Sequence, residues 1–423
     1  MGILIKKASI LTADEKNNIV NHSNTDIRIE GNKIQRIGKH LKAKNKDVII
    51  EGDLLVTPGF IQAHVHPSNV LMKGVSDTMD WDDISVRLHK MGLIEKSEIK
   101  LLASIQCFME CIKSGATTLL TASSTIDEVI GAQRVINTRV CAFGMPKDRW
   151  KGKGEAKIFS IDKIKNMFDK WLKYGNVNFG IASLRAASDR LIEMVLNYSI
   201  KHKRFFKIHV AQSLQDIDTT IRERGKREVE YLFERFGNQI KKVKSFFVHS
   251  CLVNAKEIRM MKKMKVNVVI CPAAMSKLGT GFAPLREFLK QDINILIGTD
   301  SSINNDSNNI LAEAQYAALS YKAKERDAGF LRSSDIFRFL TVNGERALNK
   351  QIGRIENGYI ADVNIFDLNT PAFSPSHSYI NSLVFNGFNA MPRYVIVNGK
   401  LLVEDYDLLI NWDNDIFKKY EVD

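Results

Sequence analysis

Between residues 58 and 350 the chain repeats one pattern: a short apolar run, a loop, and a helix-length amphipathic stretch. Eight runs read in order as GFIQAHV, ATTLLTA, RVCAFG, VNFGIAS, FFKIHVA, SFFVHS, VNVVICP and NILIGTD. Most are separated by segments such as SEIKLLASIQCFMECIKSG, long enough for the helix that a parallel strand needs to return to the same end of a sheet. The pattern predicts an α/β chain folded as a (β/α)8 TIM barrel, with its chemistry at the C-terminal ends of the strands.

The flanks read differently. Residues 1–57 carry short strand-like runs with turn signals, in GILIKKASILT, DIRIEGNKIQRIG and DVIIEGDLLVTPGF. Residues 351–423 return to that style with ADVNIFDL and YVIVNGKLLVED, whose Asn-Gly pair marks a hairpin. The two ends are expected to build one small β-sandwich domain, 1–57 and 351–423, around a barrel of 58–350. A chain of 423 residues that is 44% hydrophobic has material for a barrel-sized core and such a second unit.

The net charge is +13, but the basic residues are scattered, and no motif accompanies them; neither nucleic acid nor a membrane is expected as a partner. Five cysteines form neither a CxxC pair nor a framework spacing, which points to a reducing cytoplasm. Lys6 and Lys7 interrupt the N-terminus before an apolar leader core develops, and no apolar run reaches the roughly 18 residues of a membrane span. One cluster stands out: Lys147, Arg149, Lys151, Lys153 and Lys157 around Trp150, in the loop after the third run. It reads either as a solvated surface segment or as a face toward an anionic substrate.

Four of the nine histidines close barrel strands: His64 and His66 the first, His209 the fifth and His249 the sixth, with Asp300 on the eighth. Any one of them alone is an ordinary rim residue. Residues two apart on a strand share a face, so His64 and His66 can serve one ion. Imidazoles and a carboxylate converging on one mouth suit a borderline divalent metal, zinc or iron, with a position left for water.

The stretches VTPGFIQAHVHPSNVLMKGVSDTMDWDD, KIHVAQS, FFVHS, VVICPAAMSKLGTGFAPLREF and ILIGTDSSINND together resemble the amidohydrolase superfamily. They are most similar to its branch of triazine hydrolases, guanine deaminase and adenosine or S-adenosylhomocysteine deaminases. The similarity runs over nearly the whole chain, through GRIENGYIADVNIFDL. It implies one divalent metal ion on His64, His66, His209 and Asp300, with His249 hydrogen-bonding the metal's water or the substrate. Asp300 would be the general base, and the substrate a small nitrogen heterocycle. Gln62, one layer below His64 on the same face, is expected to orient a ligand, and Trp81 and Met72, in the loop after the HxH pair, to enclose the substrate ring. A homodimer is the usual expectation for such a chain.

Two further departures from that family's pattern accompany the basic loop. Where the branch has Glu three residues after the strand-five His, as its proton shuttle, this chain has Gln212, an amide that cannot carry a proton. Where it commonly has Ser-Asn before Lys-Leu, this chain has Ala274 and Met275. The expected activity is thus deaminase-like C–N hydrolysis with its usual shuttle replaced. The alternatives are hydrolysis of a bond that does not need that Glu, or a catalytically impaired metal-binding homologue.

Overall fold

A computed structural model describes residues 2–80, 82–84, 86–87 and 97–410. Its centre is a parallel sheet of eight strands in sequence order: Phe60–Val65, Ala116–Ser123, Arg139–Gly144, Val177–Ile181, Phe206–Val210, Ser245–His249, Asn267–Ile270 and Asn294–Ile297. We call these barrel strands one to eight. They coincide with the eight apolar runs, whose near-continuous hydrophobicity follows from burial on both faces.

The sheet closes between strands one and eight through a parallel bridge from Val65 to Asp300. Asp300 N–H donates to the His64 carbonyl at 3.0 Å, and His66 N–H to the Asp300 carbonyl at 3.4 Å. The seam therefore runs through residues expected to carry the chemistry. Helices cover the outside, among them Ser97–Lys113, Ile126–Ile136, Asp189–Lys201, Glu228–Ile240 and Ile310–Glu325. Their apolar faces and the outward faces of the strands form one continuous core around residues such as Phe168, Phe206, Leu232 and Phe337.

The chain ends join in one sheet. Strands Ile3–Ala13, Ile19–Glu30, Lys33–Gly38, Val48–Ile50 and Leu54–Pro58 come from the N-terminal side, and Val363–Asp367, Tyr394–Val397, Lys400–Glu404 and Asp407–Leu408 from the C-terminal side. The join is the antiparallel pairing of Leu54–Pro58 with Val363–Asp367. Ile3, Ile27, Ile34, Val56, Val363 and Ile396 are buried together against it. The Asn398–Gly399 turn links strands in register Val397 to Lys400, the hairpin that the dipeptide announces. The five cysteines are free and buried. Among the described residues, no helix is long and apolar enough to cross a membrane.

Candidate active site

The marked strand ends converge on one point of the rim. His64 Nε2 lies 3.1 Å from Asp300 Oδ1 and 3.1 Å from His209 Nε2. His66 Nε2 is 3.3 Å from the same carboxylate oxygen. His249 joins them, its ring stacked on that of His209 with centroids 5.3 Å apart. The ligand atoms of His64, His209, His249 and Asp300 all lie within 4.8 Å of one another.

Local backbone makes this convergence possible. At Gly298, two residues before Asp300, strand eight passes so close to strand one that a Cβ would lie 2.6 Å from the His64 nitrogen. Ala211, His249, Ser250 and Asp300 have φ of 49°, 70°, 53° and 65°, left-handed conformations at the ends of strands five, six and eight. For non-glycine residues such turns cost roughly 1–2 kcal/mol each, and they swing the chain so that side chains meet over the barrel mouth.

Hydrogen bonds then fix individual groups. His209 Nδ1–H donates to the Ala182 carbonyl at 2.6 Å, which leaves the Nε2 lone pair facing the cluster. Asn304 Nδ2 donates to Asp300 Oδ2 at 2.9 Å and so leaves Oδ1 to the histidines. Burial pushes His64 and His209 well below the ordinary histidine range, and His249 down to about 4. Burial alone would raise the Asp300 carboxyl, but the bonds from His64 and His66 hold it well below the usual carboxylate range. At neutral pH these four groups are three neutral imidazoles and one carboxylate, the protonation states of metal ligands.

This donor set fits a divalent ion. The His209 lone pair points at His64 Nε2 from 3.1 Å, so that a cation between them would have two nitrogen donors. Ligand bonds of about 2.0–2.2 Å in four- or five-coordinate geometry set donor atoms about 3.0–3.6 Å apart. The observed 3.1, 3.1 and 3.3 Å fall within that range. Among the described residues, the other ring nitrogens of His64 and His249 are buried without a partner.

A cavity opens onto the cluster and is lined by His66, His209, Gln212, His249, Asp300 and Asn304. Gln212 is half-buried, and among the described residues no hydrogen bond engages its amide. The backbone on either side of it is pinned. Glu228 accepts the N–H of Ala211, and Ser213 and Asp216 form a capping box at the start of helix Leu214–Arg224.

Other expected residues have different destinations. Gln62 is fully buried, with both ends of its amide bonded to Thr299 at 2.9 Å, so it braces the seam beside Asp300 and does not line the cavity. Met72 is packed among apolar side chains including Ile61, Ile84 and Phe143, because the turn Pro67–Met72 folds it under the rim. Ala274 and Met275 are in the same cluster. Trp81 lies outside the described residues.

The sequence reading passed over several residues that shape this site. Asn304 is one. Lys207 is another: fully buried two residues before His209, its ammonium donates to the carbonyls of Ala63 at 3.1 Å and Leu120 at 3.0 Å, over the Phe143 ring. Burial lowers its pKa to about 7. The visible signal was a lysine at an inward-facing position of an apolar strand. A third is Arg185, 3% exposed, which binds Asp82 through two bonds of 2.9 and 2.8 Å and Asp216 through one of 3.2 Å. These three side chains tie together the segments that follow strands one, four and five. Arg185→Met leaves two buried carboxylates without their partner and is expected to cost about 3–5 kcal/mol of folding stability. Denaturant unfolding measures this, and a loss below about 1 kcal/mol would contradict it.

An eight-stranded parallel barrel whose rim gathers four imidazoles and a carboxylate defines a class, the barrel hydrolases. Within it, this chain belongs to the amidohydrolase family, whose sequence description matches residues 55–402. It is 29% identical over 419 residues to a 5-methylthioadenosine/S-adenosylhomocysteine deaminase of Thermoanaerobacter pseudethanolicus, covering 96% of this chain and 95% of that one. To a 5'-deoxyadenosine deaminase of Methanocaldococcus jannaschii it is 28% identical, covering 96% and 97%. Among solved structures, the fold matches zinc-complexed atrazine chlorohydrolase TrzN from Arthrobacter aurescens TC1 with a TM-score of 0.88 at 20% identity, covering 99% of each chain. It matches a zinc-bound adenosine deaminase from Xanthomonas campestris at 0.86 and 21% identity, covering 99% of this chain and 96% of that one.

Proposed function

We propose that this chain is a metal-dependent hydrolase that removes an amine from a small nitrogen heterocycle, with Gln212 standing where its relatives carry a proton-shuttling Glu. The observation that carries the reading is the convergence on the rim of His64, 3.1 Å from both Asp300 and His209, with His66 3.3 Å from the same Asp300 oxygen. In this reading those four hold one divalent ion, zinc or iron, within a barrel of 58–350; segments 1–57 and 351–423 complete a small sandwich unit beside it. Names of the curated relatives put adenosine derivatives among the first substrates to try.

A bound ion would supply a Lewis acid that brings the pKa of coordinated water toward about 7. The remaining work belongs to the protein. Asp300 is an ionised base, its Oδ1 among the histidines and its Oδ2 held by Asn304, and it takes the proton of the attacking water. His249, neutral and enclosed, hydrogen-bonds the water or the developing charge on the substrate. Gln212 can hydrogen-bond a ring atom but has no proton to pass on, so the leaving amine must be protonated by Asp300, His249 or the substrate itself. That restriction favours, as the second reading, a bond whose leaving group needs no such proton, for instance a carbon–halogen bond that releases halide.

Ammonia release from a panel of adenosine derivatives, other purines, pterins, pyrimidines and triazines tests this reading with zinc- or iron-loaded protein. At least one is expected to release ammonia above a chelator-treated control, and silence across the panel would overturn C–N cleavage. Asn304 gives a further prediction. Asn304→Ala frees Asp300 Oδ2 and is expected to weaken metal retention about 10–100-fold. Competition with a chromophoric chelator measures this, and unchanged retention would remove Asn304 from the supporting set.

A further inference from the structure

Strand one does not run evenly beside strand two. Their parallel register passes from Gln62 opposite Leu119 to Val65 opposite Thr121, so that Ala63 and His64 together face the single residue Leu120. This is a β-bulge, one residue more on strand one than on its partner. Its effect is visible in the packing. Ala63 lies in the barrel's inner cluster with Leu120, Phe143 and Val248; His64, beside it, also turns inward, onto His209 and Asp300. Val65 then packs in the outer core with Phe60 and Leu119. Neighbouring residues of a regular strand point to opposite faces, so the extra residue is what turns the His64 ring toward the mouth.

Where a bulge interrupts the ladder, backbone carbonyls need donors from elsewhere. Here a donor comes from Lys207, on strand five, across the barrel. Its ammonium donates to the carbonyls of Ala63 at 3.1 Å and Leu120 at 3.0 Å, residues that meet at the bulge, one from each strand. The centre of the Phe143 ring is 4.5 Å from the same ammonium. Among the described residues no carboxylate lies within ion-pair reach of it. Burying such a cation is costly, and the two carbonyls and the ring are what offset the cost. Strand eight holds the same place from the other side. Asp300 N–H donates to the His64 carbonyl at 3.0 Å, and a Cβ at Gly298 would fall 2.6 Å from the His64 nitrogen. His64 is thus clamped between strand eight and, through Ala63, the end of Lys207.

We propose that Lys207 is a positioning residue: spanning the barrel from strand five, it sets the strand-one bulge that aims His64 at the metal position. The proposal rests on the reading of His64, His66, His209 and Asp300 as metal ligands given above. It assigns Lys207 no contact with metal or substrate; its influence runs through the His64 ring alone.

The cobalt(II) affinity of the full-length chain, measured by competition with chelators of graded strength, tests this in a double-mutant cycle of Lys207→Met with His64→Ala. Lys207→Met removes the donors with little change of volume. It is expected to weaken cobalt binding about 10–100-fold, the range for a group that orients a ligand. In the His64→Ala background the same change is expected to matter less than about twofold, since nothing remains for Lys207 to aim. Unchanged affinity in Lys207→Met overturns the proposal. Tighter binding does so too, because the cation would then act by its charge on the ion. Losses that add in the double variant also overturn it, as they place the effect elsewhere in the barrel. If Lys207→Met does not fold, Lys207→Gln, too short to reach both carbonyls, takes its place with the same expected outcomes. Failure of both variants to fold makes Lys207 a residue of the fold alone and overturns the aiming role. A native chain that binds no cobalt overturns the metal reading itself and the proposal with it, whereas every other adverse result leaves that reading standing.

Discussion

Changing Asp300 to Asn is expected to lower turnover about 10²–10⁴-fold, the range for loss of a positioned general base. The backbone of residue 300 makes the seam bonds to strand one, and these do not depend on the side chain. Asn also tolerates the left-handed φ of 65° found there. Melting temperature and turnover should therefore separate: near-native melting with activity lost. If both fell together, the loss would be one of fold, and the assignment of Asp300 as base would lose its support.

Gln212→Glu has the opposite expected sign. The substitution is isosteric, and the backbone beside it is pinned by the Glu228–Ala211 bond and the Ser213–Asp216 capping box, so a carboxyl would enter where the amide now lies. If the missing step is proton delivery to the leaving amine, ammonia release should rise by about 10²–10⁴-fold, the value of general acid–base catalysis. An activity of the native protein that is instead abolished by Gln212→Glu would show that the amide itself is used, which is the outcome expected of a hydrolase acting on another bond.

The sequence made visible those features that depend on chain direction and period. Apolar runs of strand length separated by helices define a parallel barrel almost without regard to loop detail, and His64, His66, His209, His249 and Asp300 close those runs, so their meeting follows from the barrel's geometry. Destinations that depend on how loops fold back were not visible. Gln62 shares the inward face of His64, yet barrel closure gives its amide to Thr299. Met72 is in a loop after the HxH pair, and a short turn sends it into the core. The five charges of the basic loop look alike in sequence. Glu223 and Asp83, far away in the chain, hold Arg149, Lys151 and Lys153, whereas Lys147 lines the cavity. Asn304 and Arg185 went unrecognised for the same reason, since their partners are set by tertiary contacts.

Metal content tests the central claim most directly. After purification without chelators and reloading with zinc or iron, elemental analysis should find close to one ion per chain, held through gel filtration. His209→Ala should lose it with little change in secondary structure, because that side chain leaves the barrel ladder untouched. Protein that retains no ion, or a His209→Ala variant that retains as much as the native chain, would contradict the account.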